Sequence, residues 1–178
     1  MKNLGIHVLD FNDKIIDYIS RDDGALIHAV MSNNAEEKSE TFDFTVVNKR
    51  ADKLRERNRI IAQDNNGTYR EFVISHVVDN FDGTTDIESN ASYLEDIDKS
   101  KPIKPGKFSA YSTSQALNDT LRNTGWEISE DTEHGGMRTT SWTSYSTPYE
   151  VINMLCTTYG MVADYSIELG SHTVEHRY

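Results

Sequence analysis

The chain counts 178 residues with 29 acidic against 18 basic side chains, a formal charge of -11. That length holds one domain, or one plus part of a second, since domains run ~100–200 residues, and aromatics at 10% argue against wholesale disorder. No run approaches the ~18 apolar residues of a membrane span, no cleavable leader pattern opens the chain, and so acidic a chain repels phosphate, which disfavours bulk nucleic-acid binding.

The first hundred residues read as β, from period-2 alternation broken by turn chemistry at short intervals. Gly5 to Leu9 and Lys14 to Ile19 surround Asn12-Asp13 as an opening hairpin. In Thr41-Phe42-Asp43-Phe44-Thr45-Val46 the two phenylalanines and Val46 fall on one face, which predicts a half-buried strand. Ile60 to Gln63 and Tyr69 to Val78 flank Asp64-Asn65-Asn66-Gly67, whose Asn and Gly tolerate positive φ, so a second hairpin is expected. On its outgoing arm Phe72, Ile74, His76 and Val78 share a face by alternation, making His76 a partly buried histidine. Asp82-Gly83 then turns the chain into Thr84 to Leu94, with Ile87, Ser89, Ala91 and Tyr93 alternating. Short strands at this spacing predict a small antiparallel β-barrel or sandwich.

Near residue 100 the texture changes. Lys101-Pro102-Ile103-Lys104-Pro105-Gly106-Lys107 holds two of the three prolines, and proline cannot donate to a ladder. Ser112 or Thr113 can cap a helix carrying Ala116, Leu117, Thr120 and Leu121, ended by Gly125. Thr147-Pro148-Tyr149-Glu150 has the form of a capping box with proline at the first helical position, followed by Val151, Ile152 and Leu155 and closed by Gly160. Residues Asp131 to Gly136 predict an exposed loop. Met161 to Ile167, a turn at Gly170-Ser171 and His172 to Tyr178 predict a final strand pair. The expected class is α+β: a β domain over 1–98, a linker over 99–107 and a smaller α+β domain over 108–178. A terminus inside that last strand predicts a piece of a longer protein, cut within its second domain.

The residue types that carry chemistry are thin. His172 and His176 sit four apart, a metal-clasping spacing on a helix, but Thr173 and Val174 are β-branched and favour a strand. No Gly-x-Ser-x-Gly, phosphate-cradling loop or Cys-x-x-Cys is present. The single Cys156 excludes an internal disulfide, fits a reducing compartment and reads as a packed side chain one residue after Leu155. Glu36, Glu37 and Glu40, Asp79, Asp82 and Asp86, and Glu95, Asp96 and Asp98 supply carboxylates, yet a hydrolase needs two held at a set separation in a cleft. These patterns predict no catalytic residue, no metal and no cofactor.

One segment breaks the acidic trend. Lys49, Arg50, Lys53, Arg55, Arg57 and Arg59, interspersed with Asp52 and Glu56, give a local charge of about +4 against about -15 elsewhere. Its plain reading is a solvated connection; its sharper one is an electrostatic contact with an acidic subunit or partner. In an extended strand Arg55, Arg57 and Arg59 would project together on one side.

Taken in order, the Leu4 to Asp10 strand, Thr41 to Val46, Asn58-Arg59-Ile60-Ile61, the Asp-x-x-Gly turn, Glu71-Phe72-Val73-Ile74, Ser114 to Asn118, Thr124-Gly125-Trp126-Glu127 and Thr147 to Ile152 are similar to the N-terminal region of siphophage and prophage tail proteins, the prophage endopeptidase tail or tail-associated lysin family. These are structural signatures and none is catalytic. The resemblance implies a hub like that of contractile-phage baseplates, a trimeric ring of small β-barrels with α+β insertions that closes the tail tube beneath the distal tail protein. The implied partners are copies of itself, as a homotrimer in the full-length protein, and other tail proteins, without specific nucleic acid or membrane anchor. The implied location is the virion tail tip, after synthesis in the host cytoplasm. Any peptidoglycan hydrolase would lie in a C-terminal region beyond this chain. Two other readings stand beside it: a cell-wall carbohydrate or receptor module using Trp126 and Trp142 as accessible platforms, and a hydrolase fragment built on the carboxylates.

Overall fold

A computed structural model describes residues 5–130, 132, 135–168 and 171–177 of the chain. Of the expectations above, Leu4, Asp131, Glu133, His134, Gly170 and Tyr178 lie outside the described residues, as do the side chains of His172 and His176. Two units emerge, Met1–Ser92 and Tyr93–Tyr178, dividing before the Pro-containing segment. Among the described residues no helix is long and apolar enough to cross a membrane.

In the first unit, β1 (Gly5–Leu9), β2 (Ile15–Ser20), β3 (Leu26–Asn34), β4 (Ser39–Val47), β5 (Arg59–Gln63), β6 (Tyr69–Asp79) and β7 (Thr84–Ala91) form one antiparallel sheet in the order β2-β1-β5-β6-β7-β4-β3. Its turns follow the expected chemistry. Asp10 Oδ1 accepts from the amides of Asn12 and Lys14 between β1 and β2. Asp64 Oδ1 does the same for Asn66 and Thr68 between β5 and β6, with Gly67 at φ 86°.

The two ends of this sheet are joined by a short link. Laid flat, seven strands place β2 and β3 about 29 Å apart, at ~4.8 Å per neighbour. The chain from Ser20 to Leu26 spans at most about 20–22 Å when fully extended. The sheet therefore curls, and the alternate residues of its concave face become one core. Phe42 and Phe44 stack with ring centroids 5.3 Å apart, and Phe42 meets Phe72 at 5.4 Å. Those last two stand on β4 and β6, with β7 between them. The contact is possible because β7 presents Ser89 and Ala91, both 1% exposed, where larger side chains would fill the space. Ser89 also donates its hydroxyl to the Phe42 carbonyl.

Two departures from simple alternation matter. The β6–β7 register slips between Ile74 and His76, so Ser75 is an extra residue. Beyond it the inward face changes parity: His76 and Val78, expected on the core face, are exposed, and His76 Nδ1 instead lies 3.5 Å from Glu88 Oε2. Second, β3 was not foreseen, because as an edge strand it shows little alternation of burial.

The second unit opens with a helical turn, Leu94–Asp98, which takes Tyr93 and Leu94 out of the strand expected to continue through them. It continues with β8 (Gly106–Tyr111), α1 (Thr113–Leu121), β9 (Glu127–Ile128), β10 (Arg138–Trp142), α2 (Pro148–Tyr159), β11 (Val162–Glu168) and β12 (Ser171–Arg177). β8 pairs with β10, while β12 lies between β11 and β9 in a three-stranded sheet. Both helices carry complete capping boxes: Ser112 with Gln115, and Thr147 with Glu150. Gly160 ends α2 in the left-handed conformation at φ 69°. Packed among these elements is an aromatic cluster. Tyr93 stacks on Tyr165 at 4.0 Å, Trp126 meets Tyr165 edge-on at 6.1 Å, and Trp126 Nε1 donates to Asp96 at 3.1 Å. Burial pushes the Tyr165 phenol well above its ordinary range, with the neighbouring Cys156, Tyr149, Tyr93 and Asp98 adding to the shift.

Two predictions follow from these cores. Phe72→Ala removes a fully buried ring with no room for collapse, so chemical denaturation should show a loss of about 3–5 kcal/mol; an unaltered midpoint would contradict the packing. For Tyr165 the folded pKa lies above the unfolded one, so stability is intact below the unfolded phenol's ~10 and declines as pH rises past it. Denaturant midpoints measured up to about pH 11 should fall, and Tyr165→Phe should flatten the fall.

Candidate assembly interface

The basic segment is not an extended strand. After β4, a single 3-10 turn (Asn48–Arg50) leads into two tight turns, closed by Leu54 N to Ala51 O at 2.9 Å and Asn58 N to Arg55 O at 3.0 Å. Two buried residues pin it: Leu54 at 2% exposure, and Asn58, whose Nδ2 donates to the Lys53 carbonyl at 3.0 Å. Arg57 sits at φ 71°, and its amide bonds to the Ile74 carbonyl. Because the backbone turns here, Arg55, Arg57 and Arg59 do not project from one side of a strand. Arg59 alone belongs to β5. Arginine is not a turn residue, so nothing in the composition announced the left-handed position.

Three of the six cations are engaged within their own unit. Arg50 Nη2 donates to the Tyr18 carbonyl at 2.8 Å and lies 3.3 Å from Asp17. Lys53 Nζ donates to the Ile16 carbonyl at 3.0 Å. Ile16 and Tyr18 are alternate residues of the edge strand β2, so these two side chains satisfy carbonyls that would otherwise face outward from the sheet. Arg59 Nη1 lies 2.7 Å from Glu71 Oε1, a side chain only 2% exposed, and its Nε is 3.6 Å from Asp13. A carboxylate buried that deeply requires such a partner.

What remains is a small outward set. Lys49, Arg55 and Arg57 are exposed, and among the described residues none of the three makes a side-chain hydrogen bond or ion pair. The segment thus splits by function, half bracing the sheet and half presented to solvent.

Several of the other candidate residues have structural occupations. Asp86 accepts from Thr45 Oγ1 at 2.6 Å and Asn80 Nδ2 at 2.8 Å, and those bonds hold its carboxyl below the usual range. Asp79 accepts from Thr85, Asp82 organises the β6–β7 turn, and Asp98 accepts from Thr147 at the start of α2. Among the described residues no group of three or more His, Cys, Asp or Glu is placed to hold a metal. Cys156 is half-buried, and burial pushes its thiol up to about 11, which keeps it protonated and a poor nucleophile at neutral pH. The tryptophans are not accessible platforms. Trp126 is 4% and Trp142 7% exposed, and Trp142 Nε1 donates to the Lys104 carbonyl at 2.7 Å. Their indoles pack the second unit, and the carbohydrate-module reading loses its tryptophan platforms.

No protein-family model matches the chain, and no curated protein sequence does. Solved structures do match its fold. Prophage tail protein gp18 from Listeria monocytogenes EGD-e aligns over 98% of this chain and 50% of its own, at 16% identity and a TM-score of 0.55. The tail protein from Neisseria meningitidis MC58 aligns over 96% of this chain and 50% of its own, at 8% identity and a TM-score of 0.60. The 43 kDa tail protein of prophage MuSo2 from Shewanella oneidensis aligns over 98% of this chain and 54% of its own, at 14% identity and a TM-score of 0.60. The chain spans about half the length of each. At these identities the likeness is one of fold, and the fold is shared with solved tail proteins, two of them from prophages.

Proposed function

We propose that this chain is a structural part of a phage or prophage tail. In this reading it is the hub at the tail tip, trimeric in the full-length protein, closing the tube and assembling with the distal tail protein. The observation that carries the reading is that both units align along about half of each of three tail proteins, two of them from prophages. It performs no chemistry of its own. Of the candidate carboxylates, Asp82 serves a turn, Asp98 accepts at the start of α2 and Glu95 pairs with Lys99, which favours a structural role. Made in the host cytoplasm, it ends in the virion tail.

The physical demands on such a part are two. A channel that DNA crosses must not capture it, and a chain of charge -11 repels phosphate from its walls. A ring must also grip its neighbours, and the exposed Lys49, Arg55 and Arg57 are cations free to meet an acidic subunit face. Arg forks pair carboxylates bidentately, so Arg55 and Arg57 carry the larger share.

The test is Arg55→Glu with Arg57→Glu in the full-length protein, followed by assembly with its tail partners. The expected result is a loss of about tenfold or more in assembled tail tips, steepened by added salt. Because neither side chain braces the sheet, the isolated variant should keep its melting temperature. Wild-type yield and salt resistance would overturn the interface assignment.

A further inference from the structure

The two edges of the seven-stranded sheet are treated differently. On β2, Arg50 and Lys53 occupy carbonyls of Tyr18 and Ile16. On β3, among the described residues, no second ladder forms and no side chain bonds to the outer edge of the strand. Leu26–Asn34 contains no proline and no Lys, Arg, Asp or Glu, the residues that ordinarily guard an edge. Its one irregularity is a register slip between Leu26 and His28, which leaves 29–34 regular. Ile27 and Val30 are 51% and 43% exposed. An edge of this kind is a template for an added strand.

Charge selects the occupant. The turn that follows β3 carries Glu36 and Glu37, both exposed and neither paired among the described residues. An incoming strand must therefore bring cations beside that turn and have an open edge of its own. The same chain supplies one. From Lys99 to Asn118, twenty consecutive residues hold four lysines and no carboxylate. Lys99 is paired with Glu95, whereas the ammonium groups of Lys101, Lys104 and Lys107 are exposed and make no hydrogen bond or ion pair among the described residues. Lys101 and Lys104 precede β8 and Lys107 lies within it; among the described residues this six-residue strand has its one ladder with β10.

We infer that β3 of one copy pairs with β8 of a second copy. The pairing is antiparallel, which sets the Glu36–Glu37 turn at the end of β3 beside Lys104, two residues before β8, and Lys107, its second residue. Pairing of β3 with β3 is disfavoured, since it would bring Glu36 and Glu37 of one copy toward Asp22 and Asp23 of the other. A β3–β8 contact is heterologous, the kind that generates a ring when its rotation closes. This rests on the self-assembling reading above and names a strand contact for it.

Sedimentation of the 178-residue chain from ~10 to ~500 μM tests it by mass action, at about 0.05 M and about 0.5 M salt to separate the screened part. The wild type should self-associate, more weakly at high salt. Lys104→Glu with Lys107→Glu, and separately Glu36→Lys with Glu37→Lys, should each weaken association about tenfold or more. Both pairs reversed in one chain should restore it to within about threefold, an outcome that loss of folding cannot imitate. Val30→Lys, at an exposed position, should also weaken it through the edge itself. Association indifferent to all these changes would overturn the β3–β8 contact and leave self-assembly standing. A wild-type chain monomeric throughout would overturn it too, while the tail-tip experiment on Arg55 and Arg57 would stand independently.

Discussion

The link from Ser20 to Leu26 is the constraint on which the first unit depends. It ties the two ends of a seven-stranded sheet more closely than a flat sheet allows, so the sheet must curl. Curling makes a concave face, and a concave face brings together residues from strands that are not neighbours. Phe42 and Phe72 touch across β7 for that reason, and Ser89 and Ala91 are small because two rings converge above them. The bulge at Ser75 belongs to the same geometry. An extra residue bends and twists β6 where the sheet turns, and it moves His76 outward as a by-product.

A curled sheet that does not close keeps two edges. The basic segment answers one of them: it runs from β4 to β5, and on the way its Arg50 and Lys53 cover carbonyls of β2. This explains why a strongly acidic unit carries cations in the one connection that passes this edge. It also divides the segment physically. Cations that hold backbone carbonyls or a buried carboxylate are bound to their own fold, since removing Arg59 would leave Glu71 buried and short of charge compensation. Only those without such duties are available to another molecule.

How much of this was legible follows from where each signal resides. Alternation in Ser39–Val47 reports a strand half in water and half in the core, and its buried positions match that pattern residue for residue. The Thr147–Glu150 capping box is local chemistry, complete within four residues, and is present in the structure; at the first helix Ser112 is the cap, and Gln115 completes a second box. The failures are of the opposite kind. β3 is an edge strand with little burial contrast, so periodicity had nothing to register. His76 was misplaced by one inserted residue, which inverts every later position on a period of 2. Trp126 and Trp142 were judged by residue type, whereas their burial is decided by neighbours distant in sequence, Asp96 and Lys104 among them. The turn at Arg55–Asn58 is held by Ile74 and by buried Leu54, neither visible in local composition.

Fold likeness at 8–16% identity has a consequence for how assembly must be read. So few shared residues cannot preserve a particular set of side-chain contacts. What low identity can preserve is pattern: alternating faces, small residues where rings converge, and caps at helix starts. Those patterns specify a scaffold and leave its surface unspecified. Interface charge is surface, so under the proposed assembly the contact residues are to be sought among this chain's own unengaged groups rather than carried over from the solved tail proteins. By that criterion the exposed Arg55–Arg57 turn, the unguarded β3 edge and the lysines before and within β8 stand apart from the rest of the molecule. The basic side chains of that turn and of Lys101, Lys104 and Lys107 are exposed and unengaged among the described residues, and their charge is complementary to acidic surfaces of the same chain.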